Sequence, residues 1–532
     1  MKYFVPAWYN NDQWWRNLNQ PFYIKNAMIE FDDSISLMSM HEKNDEDFKL
    51  LHLSFNPNLR LFLHKYDLYE ANIWSLFDEI QGFEDIPPRS FQFEDLEWPY
   101  NTEFFYSPYL IQAMKAHYVS KIYFNQDGYL IVVDDFEHDI HQRRYIFDER
   151  GYLSAIRYYD ELGHEQYQDY LTASGDVVLR ENLETNVVQV MADHAHQFHS
   201  KTYPSMVDLI TERLNTFCNQ HMQANDKLIV SSHIAHNDIF NTLRDDVQVY
   251  YSIFSKRNRT IDQPLIRSMA HSNKWLVDTH ENEHILHQLI ETLDTKPEIL
   301  RFTPFDTQIL ENLSSQLDET YIGVWIDGLN DDYLQILIND LITYIKRHPS
   351  YHLVILTKNS ATQLQQWLSQ LIQNVNETFN EEDEEDLAKS ELIQAKSAED
   401  FEELVQIQSV PFEYDVLKAL SRLRIVIDLN DEPDLFLQIA SISVRIPQIN
   451  MHQSSYVTHL ENAYLINSYA DITTALDYFL STLKHWNGAF TFNTNMIEDL
   501  SSGHIIEQLD HFLEGDNPVS YTHLTLPTNR EV

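Results

Sequence analysis

Short apolar segments that alternate with helical patterns constrain the fold of this chain more than any other feature. The candidate strands are KLIVSSHI, VQVYYSIF, KWLVDT, ILRFTPF, YIGVWIDG, YHLVILTK, LRIVIDLN, RIPQIN and AYLINS. Strands that are apolar on both faces and separated by helices predict parallel sheets that are covered on both sides. There are enough of them for two such sheets, with a break near residue 312.

A second pattern predicts a different kind of sheet between about residues 115 and 182. Aromatic pairs, short polar turns and glycines recur there, and Gly151, Gly163 and Gly175 are evenly spaced. Short strands joined by glycine-containing turns give this spacing, so the pattern predicts an antiparallel meander. The meander is either a plain hairpin array or an aromatic platform for a sugar or protein. The candidate contact residues of the platform are Tyr123, Tyr158, Tyr159 and Tyr170.

These patterns together predict an α/β protein with two Rossmann-like domains and an inserted meander, and the family resemblance described below implies that the meander lies within the first domain. The expected segments are 1–114 and 183–312 for the first domain, 115–182 for the insert, 313–517 for the second domain, and a tail at 518–532. The tail has no hydrophobic periodicity, and we expect it to be foreign to the natural chain. The charged run 380–390 predicts a solvated loop or the start of an exposed helix.

Charge and cysteine content restrict the partners and the compartment. The chain has 37 basic and 82 acidic residues and a net charge of −45. Such a surface repels phosphate backbones, so nucleic acid is not expected as a partner. Cys218 is the single cysteine, which excludes an internal disulfide and a cysteine-rich zinc site. Without a signal-peptide pattern or a run of about 18 apolar residues, we expect a cytoplasmic protein that does not insert into membranes.

Glycine is scarce, and this argues against a bound nucleotide. Ten of 532 residues are glycine, about 2 % against a typical ~7 %. None lies between Gly175 and Gly323 or between Gly328 and Gly488. No Walker loop, dinucleotide fingerprint or nucleophile elbow is present, and close approach of backbone to a pyrophosphate usually needs glycine. We therefore expect no cofactor.

One short metal motif is present in the sequence. HENEH, His280–His284, fits the zinc pattern H-E-x-x-H with Glu281 as base, and His287 adds a third imidazole. Thr279 is typical of a helix N-cap, which would place the motif in a frayed and exposed first turn. The interpretation without a metal is favoured here. It is also favoured for a second group of imidazoles, His194, His196 and His199.

The stretch Leu429–Val457, LNDEPDLFLQIASISVRIPQINMHQSSYV, has the outline of the nucleotide-sugar clamp of a retaining glycosyltransferase. Gln438 occupies the position where such a clamp carries a carboxylate, and the stretch has no glycine. One interpretation is a plain strand, helix and strand of a Rossmann-like unit. The other places four polar residues around an interdomain cleft, as a vestigial or glycan-binding site. These residues are Glu432, Gln438, Arg445 and Asn450.

Several separate segments, in the right order, resemble one protein family. They are YFVPAWYNNDQWW at the start, LRLFLHKYDLYEANIWSLFDEIQG at 59–82, the Tyr/Asp/Gly meander, and RIPQIN with YVTHLENAYLI. Together, from residue 1 to about 515, they resemble the first of the accessory secretory proteins of Gram-positive bacteria. That family helps to export serine-rich repeat adhesins.

The resemblance carries implications for fold, partners and activity. It implies a GT-B glycosyltransferase-like fold without transferase activity, and it transfers no catalytic residue to this chain. The implied partners are two other accessory secretory proteins (one an acetyltransferase), the accessory Sec ATPase and the glycosylated adhesin. Attachment to the membrane would come through these partners. The alternative is an active retaining GT-B glycosyltransferase that acts on the adhesin.

Overall fold

The computed structural model describes most of the chain. The described residues are 1–9, 13–16, 31–125, 127–291, 293, 296–360, 363–389 and 403–515. The expected foreign tail, 518–532, lies outside them. The chain divides into two compact units. The first unit is Met1–Pro304 together with the chain from Asp510, and the second is Phe305–Leu509.

The first unit begins with three parallel strands, each followed by a helix. Their bounds are β1 Lys2–Val5, α1 Asp33–Lys43, β2 Phe48–His52, α2 Leu59–His64, β3 Asn72–Ser75 and α3 Leu76–Gln81. Helix α1 begins after the N-cap Asp32, whose carboxylate accepts the N–H of Ser34 at 3.0 Å. Helix α3 ends at Gly82, which has a φ of +69° that glycine adopts without strain.

An antiparallel sheet follows in the chain. Its strands are β4 Glu103–Tyr106, β5 Ile111–Lys115, β6 Tyr118–Phe124, β7 Leu130–Glu137, β8 Ile140–Phe147, β9 Leu153–Tyr159, β10 Glu165–Leu171, β11 Val177–Asn182, β12 Val188–Val190 and β13 Thr202–Tyr203. They pair in chain order, which is the predicted meander. The sheet extends beyond the expected 115–182 on both sides. The sequence pattern does not mark its first and last hairpins because their turns contain no glycine.

The chain then returns to the parallel sheet of the first unit. The bounds are α4 Met206–His221, β14 Lys227–Ser231, α5 Asn237–Phe240, β15 Gln248–Ile253, α6 Gln263–Ser268, β16 Lys274–Val277, α7 His280–Ile290 and β17 Glu298–Arg301. Among the described residues the sheet has the order β17-β16-β15-β14-β1-β2-β3, and every pair is parallel.

The second unit repeats the same architecture. Its elements are β18 Thr320–Trp325, α8 Asp331–Ile345, β19 Tyr351–Thr357, α9 Gln366–Lys389, β20 Val405–Ser409, α10 Glu413–Leu420, β21 Leu423–Ile427, α11 Leu435–Val444, β22 Gln448–Asn450, β23 Ala463–Leu465, α12 Ile472–Leu480 and α13 Leu483–Asp499. The last helix, α14 Ser502–Glu514, begins in the second unit, and its residues from Asp510 belong to the first. The parallel order is β20-β19-β18-β21-β22-β23 in the described chain. Residues 380–389 of the charged run lie at the end of α9, so the expected loop or helix start is wrong.

Both parallel sheets therefore have the doubly wound Rossmann strand order. In each unit the first three strands extend the sheet in one direction. The chain then returns to the first strand, and the later strands extend the sheet in the other direction. The order reverses between β1 and β14 in the first unit and between β18 and β21 in the second. Ligands of open α/β sheets bind at the carboxyl ends of the strands at such switch points.

One face of the antiparallel sheet shares a core with the first parallel sheet. Tyr170 and Ala155 of the meander belong to the same buried cluster as Phe55 and Phe77. The ring centroids of Tyr170 and Phe55 lie 5.2 Å apart, edge to face. Removal of the meander would expose these rings, so the insert is not separable from the first unit in its packing.

The last residues of α14 pack on the first unit, whereas the sequence pattern assigned the chain to 517 to the second domain. Lys2 Nζ donates to Asp510 at 2.8 Å, and the Tyr250 hydroxyl donates to the carbonyl of Leu513 at 3.1 Å. The first unit ends at Pro304, slightly before the expected break at 312. Among the helices that the structure describes, none is long and apolar enough to cross a membrane.

Buried histidines give the first unit a stability that depends on pH. Burial lowers the pKa of His41 and His52 to about 4 and that of His236 to about 3, from 6.5. Below about pH 6.5 the unfolded chain binds protons that the folded chain refuses until about pH 4, so stability falls as pH drops through this window. The shift of His41 or His52 is worth about 3 kcal/mol, and the larger shift of His236 is worth about 5 kcal/mol.

We therefore expect His52→Gln to flatten the loss of stability between pH 6.5 and 4.5. Urea unfolding of the variant and of the unchanged chain at several pH values measures how the free energy of unfolding depends on pH. His287→Gln is the matched control, because the side chain of His287 is exposed. Parallel pH profiles for all three proteins would contradict the assignment.

Candidate functional site

The candidate site is the switch point of the second unit, because the clamp-like stretch 429–457 begins there. The loop that follows β18 and the loop that follows β21 meet at this edge of the sheet. Gly328, in the first loop, has a φ of +92°, and a Cβ on it would lie 2.7 Å from Oδ1 of Asn430 in the second. The positive φ favours glycine here, and a larger residue would also have to push the Asn430 side chain aside.

The loop after β21 closes around a buried carboxylate. Oδ1 of Asp428 accepts the backbone N–H of Asn430 at 3.1 Å and its side-chain amide at 2.8 Å, and Oδ2 accepts the N–H of Asp434 at 2.8 Å. Burial, together with the nearby charge of Asp434, raises the pKa of Asp428 to about 7. The carboxylate of Asp428 thus accepts hydrogen bonds from backbone N–H groups of its own loop.

The positive end of α11 is occupied by a side chain of the protein. Asp434 is the N-cap and accepts the N–H of Leu437 at 3.0 Å. Lys358 Nζ donates to the other oxygen of Asp434 at 2.8 Å, and the backbone N–H of Lys358 donates to Asp327 at 2.6 Å. A helix N-terminus attracts phosphate through free N–H groups and its dipole. Here the carboxylate of Asp434 already accepts an N–H of the helix end, and the ammonium group of Lys358 is paired with that carboxylate.

Helix α8, which follows β18, begins with a similar arrangement. Its N-cap Asn330 accepts the N–H of Asp332 at 2.9 Å, and Asp331 and Asp332 form the first turn. Two carboxylates at a helix N-terminus complement the helix dipole and repel an incoming diphosphate. Both helices that begin at this switch point therefore disfavour the phosphates of a nucleotide sugar.

The switch point of the first unit contains a buried ion cluster. The guanidinium of Arg257, 7 % exposed, donates to the two oxygens of Asp33 at 2.7 and 3.2 Å and lies 3.5 Å from Asp32. It also donates to the carbonyls of Ser232 and Ser252. Burial and the charge of Asp33 raise the pKa of Asp32. Groups of the chain itself thus fill the edge where a ligand would bind.

An imidazole lies beside this cluster. The Tyr9 hydroxyl and His236 Nδ1 are 2.6 Å apart, and His236 Nε2 lies 2.8 Å from the carbonyl of Ser231. Burial lowers the pKa of His236 to about 3, so the ring stays neutral. Its two nitrogens have partners within the fold, which is the arrangement of a structural histidine.

The four residues predicted around a cleft do not form one cluster. Glu432 is exposed in the loop before α11, and Arg445 ends that helix, so the length of the helix separates them. Gln438 and Asn450 are buried at 2 % and 0 % exposure. Gln438 Oε1 accepts from Ser454 at 3.0 Å, and Asn450 Nδ2 donates to the carbonyl of Asp428 at 3.2 Å. Gln438 and Asn450 therefore belong to the interior of the second unit.

Arg445 has a structural environment. It has the left-handed conformation at the end of α11, with a φ of 64°. Its Nη2 donates to the carbonyl of Leu310 at 2.6 Å, and its guanidinium lies 4.7 Å from the ring centroid of Phe490. These contacts join α11, α13 and the start of the second unit.

The histidine motifs do not bring a set of metal ligands together. His280, His284 and His287 are exposed on α7, and Thr279 caps this helix by accepting the N–H of Asn282 at 3.2 Å. Residues 192–197, with two of the second histidine group, form a short 3₁₀ turn. In the described part of the chain, ligand atoms converge only at His117, Glu137 and His138. The two imidazoles there stack nearly parallel, 4.1 Å apart, so one ion cannot lie in both ring planes.

The four tyrosines of the predicted contact surface differ in exposure. Tyr123, Tyr158 and Tyr159 are half-buried on the sheet. Tyr170 is fully buried, and its hydroxyl donates to Glu181 at 2.8 Å, so its prediction as a contact residue is wrong. Alternation along a strand places Tyr158 and Tyr159 on opposite faces, which the aromatic pattern alone does not reveal.

The strand order, the inserted sheet and the two switch points together define a glycosyltransferase-like protein of the GT-B class. A solved structure of the pneumococcal O-GlcNAc transferase GtfA, in complex with UDP and GlcNAc, has the same fold. Its TM-score is 0.67 at 12 % identity, and the match covers 97 % of this chain and 98 % of that one. The predicted fold class is confirmed.

The family follows from closer similarities. The model of an accessory Sec system protein family, that of accessory secretory protein 1, matches residues 1–516. A protein of the same description from Staphylococcus aureus (strain NCTC 8325 / PS 47) is 41 % identical over 518 residues, which are 97 % of this chain and 99 % of the relative. This chain belongs to the accessory secretory protein 1 family of the accessory Sec system, as its sequence segments predicted.

A solved structure of accessory secretory proteins 1, 2 and 3 of Streptococcus pneumoniae contains a similar chain. The TM-score is 0.79 at 26 % identity, and the match covers 97 % of this chain and 99 % of that one. The described residues of this chain thus have the fold of one chain in a structure that also contains two other accessory secretory proteins.

Proposed function

We propose that this protein is a non-catalytic component of the accessory Sec system. It acts in a complex with two other accessory secretory proteins, one of them an acetyltransferase. The complex supports glycan modification and export of serine-rich repeat adhesins and serves the accessory Sec ATPase. Membership of the accessory secretory protein 1 family and the similarity to a chain of the pneumococcal three-protein structure support the proposal.

The observation that carries the non-catalytic role is the occupation of the switch points by the chain's own charges. Asp434 caps α11 and is paired with Lys358, and Asp331 and Asp332 begin α8. A nucleotide-sugar donor would have to displace an ion pair and approach three carboxylates. Breaking the ion pair and bringing a diphosphate close to the carboxylates both cost free energy, so both weaken the binding of a donor.

The test is a calorimetric titration with UDP-glucose and UDP-N-acetylglucosamine. We expect no heat of binding up to millimolar nucleotide sugar. The alternative role, an active retaining glycosyltransferase, predicts saturable binding, and a dissociation constant near 1 μM, about −8 kcal/mol, would overturn our proposal. Asp434→Asn with Lys358→Met removes the charges that occupy the helix end, and weak binding gained by this variant would support the physical argument.

The place in the cell is part of the same proposal. With a net charge of −45, the protein has little electrostatic attraction to anionic lipid, so we propose a cytoplasmic protein that reaches the membrane through its partners. Co-purification with the two other accessory secretory proteins and the accessory ATPase tests the complex. Sedimentation with anionic vesicles tests the location: the chain alone should stay in the supernatant. Sedimentation of the chain alone at physiological salt would contradict the proposed route to the membrane.

A further inference from the structure

A cavity of about 600 Å³ lies beside helix α13 in the second unit. Its lining comes from α13, from the segment before β18 and from the end of α11, and it includes Asn312, Ser315, Arg445, Trp486, Asn487 and Phe490. Pockets that hold small ligands typically measure ~300–1,000 Å³ and combine aromatic walls with a few polar groups. This cavity, which we call the α13 pocket, has the size and the lining of such a pocket.

Arg445 contributes a positive charge to the pocket that the fold does not neutralise. Its guanidinium is half-buried, and Nη2 donates to the carbonyl of Leu310 at 2.6 Å. Nε is buried without an acceptor among the described residues, and no carboxylate of these residues forms an ion pair with Arg445. In a chain with 82 acidic and 37 basic residues, an arginine without a carboxylate partner is unexpected. The guanidinium therefore has N–H groups to offer to an acceptor outside the chain.

The backbone at Arg445 would favour a different residue. It has a φ of 64° at the end of α11, a left-handed conformation that glycine adopts without strain. Helix α3 ends in this way at Gly82. An arginine at such a position costs stability, and residues held in sparsely populated conformations cluster at functional sites. The fold gains one hydrogen bond and one ring contact from this side chain, so its charge needs a further explanation.

A second arginine extends the positive region. The guanidinium of Arg424 lies 3.6 Å from the ring centroid of Trp486, and that of Arg445 lies 4.7 Å from the centroid of Phe490. The two rings are neighbours, with centroids 5.6 Å apart. Burial lowers the pKa of Arg424, with no nearby carboxylate to oppose this effect among the described residues. A guanidinium that stacks on a ring keeps the N–H groups at its edge, so two stacked cations make this part of an acidic chain attractive to anions.

The charge balance of the pocket favours a single negative charge. A phosphate monoester carries roughly −1.5 to −2 charges at neutral pH. Of the described residues that line the pocket, Arg445 is the one with a permanent positive charge, and Glu311 lines it as well. A doubly charged group would be left half neutralised and would be repelled by Glu311. A carboxylate carries one charge, and its two oxygens match the planar N–H groups of a guanidinium.

We propose that the α13 pocket binds a carboxylate that is joined to an apolar group. The guanidinium of Arg445 would pair with the carboxylate, and the exposed amide of Asn487 would donate a further hydrogen bond. The apolar group would lie against Phe490. A small aromatic acid and the carboxyl end of a polypeptide both have this chemistry. Binding of such a carboxylate would stand with or without the proposed role in secretion.

The test is fluorine NMR of two acids in the presence of the full chain. para-Fluorobenzoate represents a small aromatic acid, and N-acetyl-para-fluorophenylalanine represents the carboxyl end of a polypeptide. The matched controls are the amides of both compounds, which have the same shape without the charge. We expect at least one acid, and neither amide, to show line broadening at millimolar concentration. The acid that binds more tightly identifies the source of the carboxylate.

Arg445→Gly removes the guanidinium and suits the left-handed backbone at the same time. We expect it to weaken binding of the acid by about tenfold, because the ion pair is lost. Its unfolding temperature should stay close to that of the unchanged chain, since glycine adopts this conformation without strain. A purely structural role for Arg445 predicts the reverse, lower stability with unchanged binding. Arg347→Gln is the matched control, because Arg347 is exposed just after α8 and outside the pocket.

Three results would overturn the proposal. They are the absence of broadening for both acids with the unchanged chain, an amide that binds as tightly as its acid, and equal affinity of Arg445→Gly and Arg347→Gln. If Arg445→Gly fails to fold, Arg445→Gln takes its place, because glutamine keeps much of the side chain without the charge. Loss of acid binding in Arg445→Gln, with an unchanged unfolding temperature, would then support the site, and retained binding would overturn it.

Discussion

Replacing Glu181 with alanine is expected to destabilise the first unit by about 3–5 kcal/mol. Glu181 is fully buried at the junction of the antiparallel sheet and the N-terminal segment. Its carboxylate accepts from Trp15 Nε1 at 2.8 Å, Arg16 Nη2 at 2.7 Å and the Tyr170 hydroxyl at 2.8 Å. The alanine variant would leave the guanidinium of Arg16, 5 % exposed, as an uncompensated buried charge.

Urea unfolding measures this loss, and hydrogen exchange of β9 to β11 shows whether it arises in the first unit. Glu184→Ala is the control, because Glu184 is exposed in the turn that follows β11. Once Arg16 is replaced by methionine, removal of Glu181 should cost clearly less, since the stranded charge is gone. Equal costs with and without Arg16 would show that the ion pair is not the cause.

Replacing Arg257 with methionine is expected to cost a similar amount, about 3–5 kcal/mol at neutral pH. The variant leaves Asp32 and Asp33 close together and buried, without the guanidinium that pairs with them. The pKa of Asp32, which burial already raises in the folded chain, would then rise further above the unfolded value of ~3.9, because the guanidinium that lowers it is gone. The folded variant would bind more protons than the unfolded chain. Its loss of stability relative to the unchanged chain should therefore shrink as pH falls toward 4.

Unfolding curves of Arg257→Met at pH 7.5, 6 and 4.5 test the size and the sign of this effect. Arg259→Met is the matched control, since Arg259 is exposed two residues further along. Asp33→Asn, added to Arg257→Met, should recover part of the stability by removing one buried charge. A deficit that grows on acidification would contradict the assignment of these carboxylates as the stranded partners.

The proposed non-catalytic role accounts for the way the chain's own polar groups occupy the switch points of this GT-B fold. Asp428 and Asp434 accept hydrogen bonds from backbone N–H groups of their own loop, and Asn430 packs on Gly328. Each of these interactions stabilises the fold without a ligand. A donor site would instead leave N–H groups and carboxylates available to bind its ligand. Stability and donor binding thus compete for the same N–H groups and carboxylates at this edge.

The sequence by itself determined the fold class and the family. Strands that are apolar on both faces, such as 423–427, can be buried only between helices, so their alternation with helices specifies parallel sheets. The glycine-containing turns at Gly151, Gly163 and Gly175 mark hairpins for an equally local reason, because each turn has a positive φ. Several segments in the right order, which do not depend on three-dimensional contacts, were enough for the family.

Only the tertiary structure decided which of these residues face solvent, the core or one another. The pairing of β1 with β14 joins positions more than 200 residues apart, and no local pattern specifies it. Tyr170 looks like Tyr158 in the sequence, yet one lies in a shared core and the other on an open face. Gln438 was singled out in the sequence but is interior, whereas Asp428, Lys358 and Arg257 were not and occupy the switch points. Burial and ion pairing depend on which distant strands become neighbours, and that is a property of the folded chain alone.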